Sequence, residues 1–94
     1  MGIYQINILD RSYPGAVNVL PVVVYILIRV EAGKVWDVAQ AIGKIAGVDR
    51  SNVVTGPYDV IAYAVLPSTE DLRQLMEGIH SVDGVNRTET CIAI

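Results

Sequence analysis

One cysteine, one histidine, one tryptophan and no phenylalanine among 94 residues leave few ways to build a reactive centre. Cys91 has no second thiol for an intrachain disulfide or a multi-cysteine metal site, which fits a reducing cytoplasm. Its place in a late β-rich run reads as a buried strand cysteine. His80 stands alone, so no His-Glu metal spacing exists, and neither a glycine-rich phosphate loop nor a serine elbow is present. Basic residues are few: seven Lys and Arg, scattered, against ten acids give a net charge of -3. That pattern lacks the footprint of a phosphate-backbone binder and argues against direct nucleic-acid contact. Long hydrophobic runs are missing too. The longest, Val19 to Ile28, is about half a membrane span and contains Pro21, and the N-terminus lacks the basic start of a signal peptide. These absences point to a soluble, cytoplasmic protein with no membrane partner, no cofactor and no enzymatic machinery.

What is abundant is apolar surface, 52% of the residues. A chain of this size forms one small domain and buries only about 60–65% of its unfolded surface, so self-association is the natural outlet for the excess. The chain also carries an internal repeat. Residues 42–51 read I-G-K-I-A-G-V-D-R-S and residues 79–88 read I-H-S-V-D-G-V-N-R-T, so Gly47 and Gly84 correspond at an offset of 84 − 47 = 37. The same offset pairs Val35 with Leu72, Val38 with Leu75, Ala39 with Met76 and Ile42 with Ile79, the i, i+3, i+4, i+7 spacing of a helix that buries one face. Each half therefore reads as strand, helix, glycine turn, strand.

Two such units predict a ferredoxin-like βαββαβ domain of the α+β class, with one four-stranded antiparallel sheet and both helices on one face. The expected strands are 22–30, 48–55, 59–66 and 85–93, and the expected helices 34–45 and 69–80. Val22 to Val30 is an almost unbroken apolar run, suited to a central strand covered on both faces. Gly33 precedes the first helix. Ser68 precedes the second, with Asp71 three residues on in a pattern close to a capping box. Gly47 and Gly84 follow the helices and suit left-handed turns. The segment Thr55 to Tyr58 is expected to close the hairpin between the second and third strands. Residues 1–21 fall outside the repeat. Ile3 to Leu9 suits a short strand and Tyr13 to Gly15 a turn, and the segment reads equally as an arm docking on a neighbour or a disordered start.

Most polar residues occupy ordinary places. Glu31, Asp37, Asp49, Glu70, Asp71, Glu77, Asp83 and Glu89 fall at helix starts, polar faces and strand edges. His80 belongs in the last turn of the second helix, where the dipole favours a cation. Trp36 lies one position off the buried stripe of the first helix, at the rim of the core or at a subunit contact. One constellation stands apart. Gly56, Tyr58 and Asp59 bring backbone groups, a phenol and a carboxylate together at the hairpin, and Thr88 and Thr90 place two hydroxyls on one face of the last strand. The plainer account makes Asp59 a hairpin-closing residue and the threonines strand formers.

These residues carry a family resemblance. The strings Y-I-L-I-R-V over 25–30, V-V-T-G-P-Y-D-V-I-A over 53–62 and G-V-N-R-T-E-T-C-I-A-I over 84–94 resemble the effector-binding (RAM) domain of the Lrp/AsnC transcription regulators. The likeness covers about residues 22–94. It implies a domain that dimerises through its sheet, assembles dimers into rings and binds a free amino acid between subunits. Regulators of this type place a helix-turn-helix domain before the module, and only about twenty residues precede it here, so the chain resembles the stand-alone form. That form implies an amino-acid sensor acting alone or co-assembling with a full-length Lrp/AsnC regulator. Gly56, Tyr58, Asp59, Thr88 and Thr90 are the expected ligand-binding residues. The alternatives are a purely structural oligomerisation module or a small dimeric ferredoxin-like oxygenase or isomerase.

Overall fold

The computed structural model describes residues 21–94. The strand expected within Ile3 to Leu9 and the turn at Tyr13 to Gly15 lie outside the described residues. The elements run β1 (Val22–Val30), α1 (Val35–Gly43), β2 (Val48–Val53), β3 (Val60–Leu66), α2 (Asp71–His80) and β4 (Val85–Ile92). They form one antiparallel sheet in the order β2-β3-β1-β4. This is the βαββαβ arrangement that the repeat predicts, with the two apolar-rich strands β1 and β3 at its centre.

Strand parity explains the core. Val24, Ile26, Ile28 and Val30 of β1 and Val60, Ala62, Ala64 and Leu66 of β3 are buried on one face, against Val38, Ala39 and Ile42 of α1 and Leu75 and Ile79 of α2. Both helices therefore pack on the same side. Removing an Ile side chain such as Ile26, Ile42 or Ile79 from water stabilises by about 1.5–3 kcal/mol each. The intervening residues Val23, Tyr25, Leu27 and Arg29 point to the opposite face, which no described element covers. Among the described residues β1 is thus covered on one side only.

Several boundaries are tighter than expected. Strand β2 ends at Val53 rather than residue 55, because Gly56 at φ 117 turns the chain before a further ladder pair forms. Helix α1 ends at Gly43, after which the Lys44 and Ile45 amides bond to Ala41 and Ile42 in a tightened last turn. At the start of α2, Asp71 Oδ2 accepts both the amide and the hydroxyl of Ser68 at 3.2 Å. The carboxylate half of the capping box is therefore made, whereas the serine hydroxyl donates to Asp71 instead of accepting a helix amide. Gly47 and Gly84 both take positive φ, as the repeat predicts.

Two side-chain placements correct the sequence reading. Cys91 is exposed, not buried: β4 is an edge strand, and Cys91 sits opposite Tyr25 on the face away from the helices. Trp36 is 76% exposed, so of its two expected places the core rim is not taken and the subunit contact stands; beside it lie Ala39, Gln40 and Ser51 to Val53.

Candidate functional site

Asp59 makes three bonds, one that closes the loop joining β2 to β3 and two that hold it against the end of β1. Its amide donates to the Ile28 carbonyl at 2.9 Å, its carbonyl accepts from Val54 at 2.9 Å, and its carboxylate Oδ2 accepts from the Val30 amide at 2.8 Å. The side chain thus continues the β1 ladder past the last paired residues. Asp59 is part-buried, and Gly56 and Pro57 stay exposed at the tip. The hairpin-closing role weighed for Asp59 is real, and it leaves the loop tip open to solvent.

From this loop Tyr58 reaches across β1 on the helix-free face. Hydrogen-bonding interaction with Glu89 of β4 raises the phenol above its ordinary value. Partial desolvation and the Glu89 charge add to the rise, and the guanidinium groups of Arg87 and Arg29 oppose it. Arg87 also contacts Glu89 at 3.8 Å. One end of the open face therefore gathers Tyr58, Arg29, Arg87 and Glu89 beside the hairpin. Further along the same face Tyr25 and Tyr63 meet with ring centroids 5.3 Å apart, and the Arg50 guanidinium lies 4.6 Å above the Tyr63 ring.

Thr88 and Thr90 lie on the other side of the sheet. In register with Ile28 and Ile26, they face α2, where Thr88 Oγ1 and His80 Nε2 share a hydrogen bond of 3.0 Å and the Thr90 hydroxyl meets Met76 Sδ at 3.5 Å. Of the five expected site residues, the structure thus brings together Gly56, Tyr58 and Asp59, and places Thr88 and Thr90 through the sheet from them. The sequence reading singles out neither arginine and gives Glu89 an ordinary solvated role. In β1, alternation sets Arg29 out of phase with the core residues Ile28 and Val30, and register then brings Arg87 beside Arg29 and Glu89 beside Leu27, on the face away from the helices. A groove of about 400 Å³ between the helix ends and another of about 510 Å³ beside Trp36 are lined by none of the five. Among the described residues no three His, Cys, Asp or Glu gather as a metal site, and no helix is long and apolar enough to cross a membrane.

The βαββαβ fold, with both helices on one face of the sheet, agrees with the comparison to protein families. The model of the Lrp/AsnC ligand binding domain matches residues 23–94. The chain belongs to this family. Among its relatives is the HTH-type transcriptional regulator FL11 of Pyrococcus furiosus, 30% identical over 73 residues, which are 78% of this chain and 48% of that protein. FL11 of Pyrococcus abyssi is 33% identical over 70 residues, 74% of this chain and 46% of that protein. The chain thus spans about half the length of these regulators. Solved structures agree on the fold. Protein TTHA0845 from Thermus thermophilus is 36% identical with a TM-score of 0.75, covering 78% of this chain and 92% of that one. FFRP-DM1 is 32% identical with a TM-score of 0.72, covering 78% of this chain and 99% of that one.

Proposed function

We propose that this Lrp/AsnC ligand-binding domain senses a free amino acid by binding it at a boundary between subunits, and that it works in the cytoplasm as an oligomer rather than as an enzyme. The observation that carries this reading is the junction at the end of β1. There an open loop with acceptors and donors borders a sheet face that bears Val23, Tyr25, Leu27, Ile61 and Val65 and has no covering element among the described residues. A second copy seated on that face removes its apolar surface from water and leaves the hairpin at the rim of the contact. A zwitterion held there needs acceptors for its ammonium and donors for its carboxylate. Backbone carbonyls of the loop and the free oxygen capacity of Asp59 serve the first need, and the Tyr58 hydroxyl and the amides around Gly56 serve the second.

Thr88 and Thr90, on the α2 side of the same strand, belong to this proposal through the edge of β4, where a neighbouring subunit completes a contact. A ligand bound by two subunits favours the assembled state by the difference in its affinity for the two states, which makes assembly the output of sensing. The output reaches transcription by co-assembly with a full-length Lrp/AsnC regulator, and the domain itself makes no contact with DNA. A thermal-shift screen over the common amino acids, run with sedimentation at the same concentrations, tests this. A ligand at a hundredfold excess over its Kd stabilises the folded form by about 2.7 kcal/mol. A screen with no shift at millimolar ligand, or a clean 10.2 kDa monomer at micromolar protein, overturns the reading.

A further inference from the structure

Arg29 and Arg87 are direct cross-strand partners on the face away from the helices, where β1 and β4 pair antiparallel next to a register shift. Directly opposed residues of an antiparallel pair hold their Cβ atoms only about 4.5–5.5 Å apart, and like charges in such a pair repel. Both residues are exposed. Glu89 offsets part of the repulsion at 3.8 Å from Arg87, but it also receives the Tyr58 hydroxyl, and Arg29 has no ion pair among the described residues. Two guanidinium groups thus face one carboxylate that is already shared, on a chain whose net charge is -3. The phenol of Tyr58 completes a cluster rich in hydrogen-bond donors, beside the loop held by Asp59.

We infer that Arg29 and Arg87 form a carboxylate-binding pair at the hairpin end of the open face, which takes the α-carboxylate of a free amino acid with Tyr58 as an additional donor. The inference rests on the amino-acid reading above and gives it a definite polarity: the carboxylate lies over β1 and β4, and the ammonium points back to the loop and Asp59. Planar guanidinium groups suit this task, because each offers parallel donors that match a carboxylate. A bound anion also removes the repulsion that the empty pair carries, so ligand and arginines stabilise each other.

Arg29→Gln and Arg87→Gln separate this role from a structural one, because stability without ligand and affinity for it respond differently. Without ligand at low salt, Arg29→Gln leaves the melting temperature unchanged or raises it, since one of two like charges is gone, and Arg87→Gln, which also loses its exposed contact with Glu89, changes it little. With ligand, each lowers affinity by about ten- to a hundredfold, the loss expected for a charge-assisted hydrogen bond. The probes are the amino acid found in the screen, its amide, which lacks the carboxylate, and succinate, which lacks the ammonium. The amide should fail to bind wild type, and succinate should bind wild type but neither variant. Full-affinity amino-acid binding by both variants overturns the arginine pair and leaves the amino-acid reading standing. Succinate binding that is lost in both variants, with no amino acid binding at all, supports the pair and sinks the amino-acid reading. If the variants alter only the sedimentation of the oligomer, the pair meets a carboxylate of a second copy and the inference is wrong.

Discussion

The carboxylate of Asp59 takes the place of a backbone carbonyl, accepting the Val30 amide at 2.8 Å beyond the point where β1 and β3 stop pairing. Asp59→Ala leaves a part-buried amide without its partner, at a cost of about 1–3 kcal/mol. In a domain of this size 1 kcal/mol moves the melting temperature by about 4–8 °C. Asp59→Asn keeps an acceptor oxygen and should stay within about 1 kcal/mol of wild type in urea titrations. The pair also decides how ligand data are read. Weaker amino-acid binding by the Ala variant mixes a loosened loop with a lost charge, whereas a loss in the Asn variant isolates the charge. An Ala variant as stable as wild type would show that the Val30 amide finds water instead.

Gly84 answers two demands at once. Its φ of 102 is one that side chains rarely adopt, and an added Cβ would lie 3.1 Å from both Lys34 Cδ and Val38 Cγ2. Gly33, at φ 86, has nothing within 4 Å of the same position. Gly33→Ala should therefore cost only the backbone part, about 1–2 kcal/mol, and Gly84→Ala that amount plus the crowding against the first turn of α1. Denaturant midpoints at unchanged slope measure the difference. Equal losses at the two sites would mean that Lys34 and Val38 move aside freely.

The internal repeat makes most of this fold legible. Val38 and Ile42 map onto Leu75 and Ile79 at one offset, and all four are buried, so periodicity alone locates both helices and the face they cover. Parity along the strands is equally readable, yet pairing Thr88 with Thr90 does not say which neighbour strand fixes their face. Register supplies that answer: Thr88 lies beside Ile28, on the buried side, which puts it under His80 and away from Tyr58. The same pairing brings Arg29 against Arg87, a contact between residues far apart in sequence that no local pattern reveals. Cys91 is hard to place for a related reason. A strand's burial depends on whether it is central or at an edge, and strand order is a property of the whole sheet.

Lys34 ties the start of α1 to the turn before β4. Its ammonium lies 2.8 Å from Asp83 Oδ2 and 3.6 Å from Glu31 Oε1. The hydrogen bond and charge of Lys34 lower Asp83 below its ordinary value of 3.8, and the same bond to Asp83, followed by its charge and that of Glu31, raises Lys34 above 10.5. Asp83 then contributes stability at pH above 3.8 that disappears as pH falls through its lower folded value. Lys34 contributes stability below pH 10.5 that disappears as pH rises through its higher folded value. The pair acts between these limits. Both groups are exposed, so the effect is small and screened by salt. A double-mutant cycle with Lys34→Met and Asp83→Asn should give a favourable coupling at neutral pH and low salt. The coupling should fade as pH falls below 3.8 through the lowered folded value of Asp83, and in about 1 M salt, where the Debye length is about 3 Å. A coupling that persists under both conditions would refute an ionic origin.

Ile26 and Leu27 are neighbours in β1 with opposite duties. Ile26 is fully buried against the helices, and Leu27 lies half-buried on the open face between Ile61 of β3 and Glu89 of β4. Ile26→Ala opens a cavity in the core and should cost about 2–5 kcal/mol at any protein concentration. Leu27→Lys introduces a cation with Glu89 directly across the strand pair, so the single chain gains a partner and keeps its fold. A second copy docked on that face would have to desolvate the new ammonium, which is costly without further partners. The melting temperature of the wild type should therefore rise with protein concentration, as mass action requires of an oligomer, whereas that of the Leu27→Lys variant should not. Sedimentation should show the Lys variant as a 10.2 kDa monomer with an intact circular dichroism spectrum. A Leu27→Lys protein that still sediments as the wild-type oligomer would place the subunit contact on another surface, because face-to-face packing there would have to desolvate the new ammonium with only Glu89, already in contact with Arg87, to receive it.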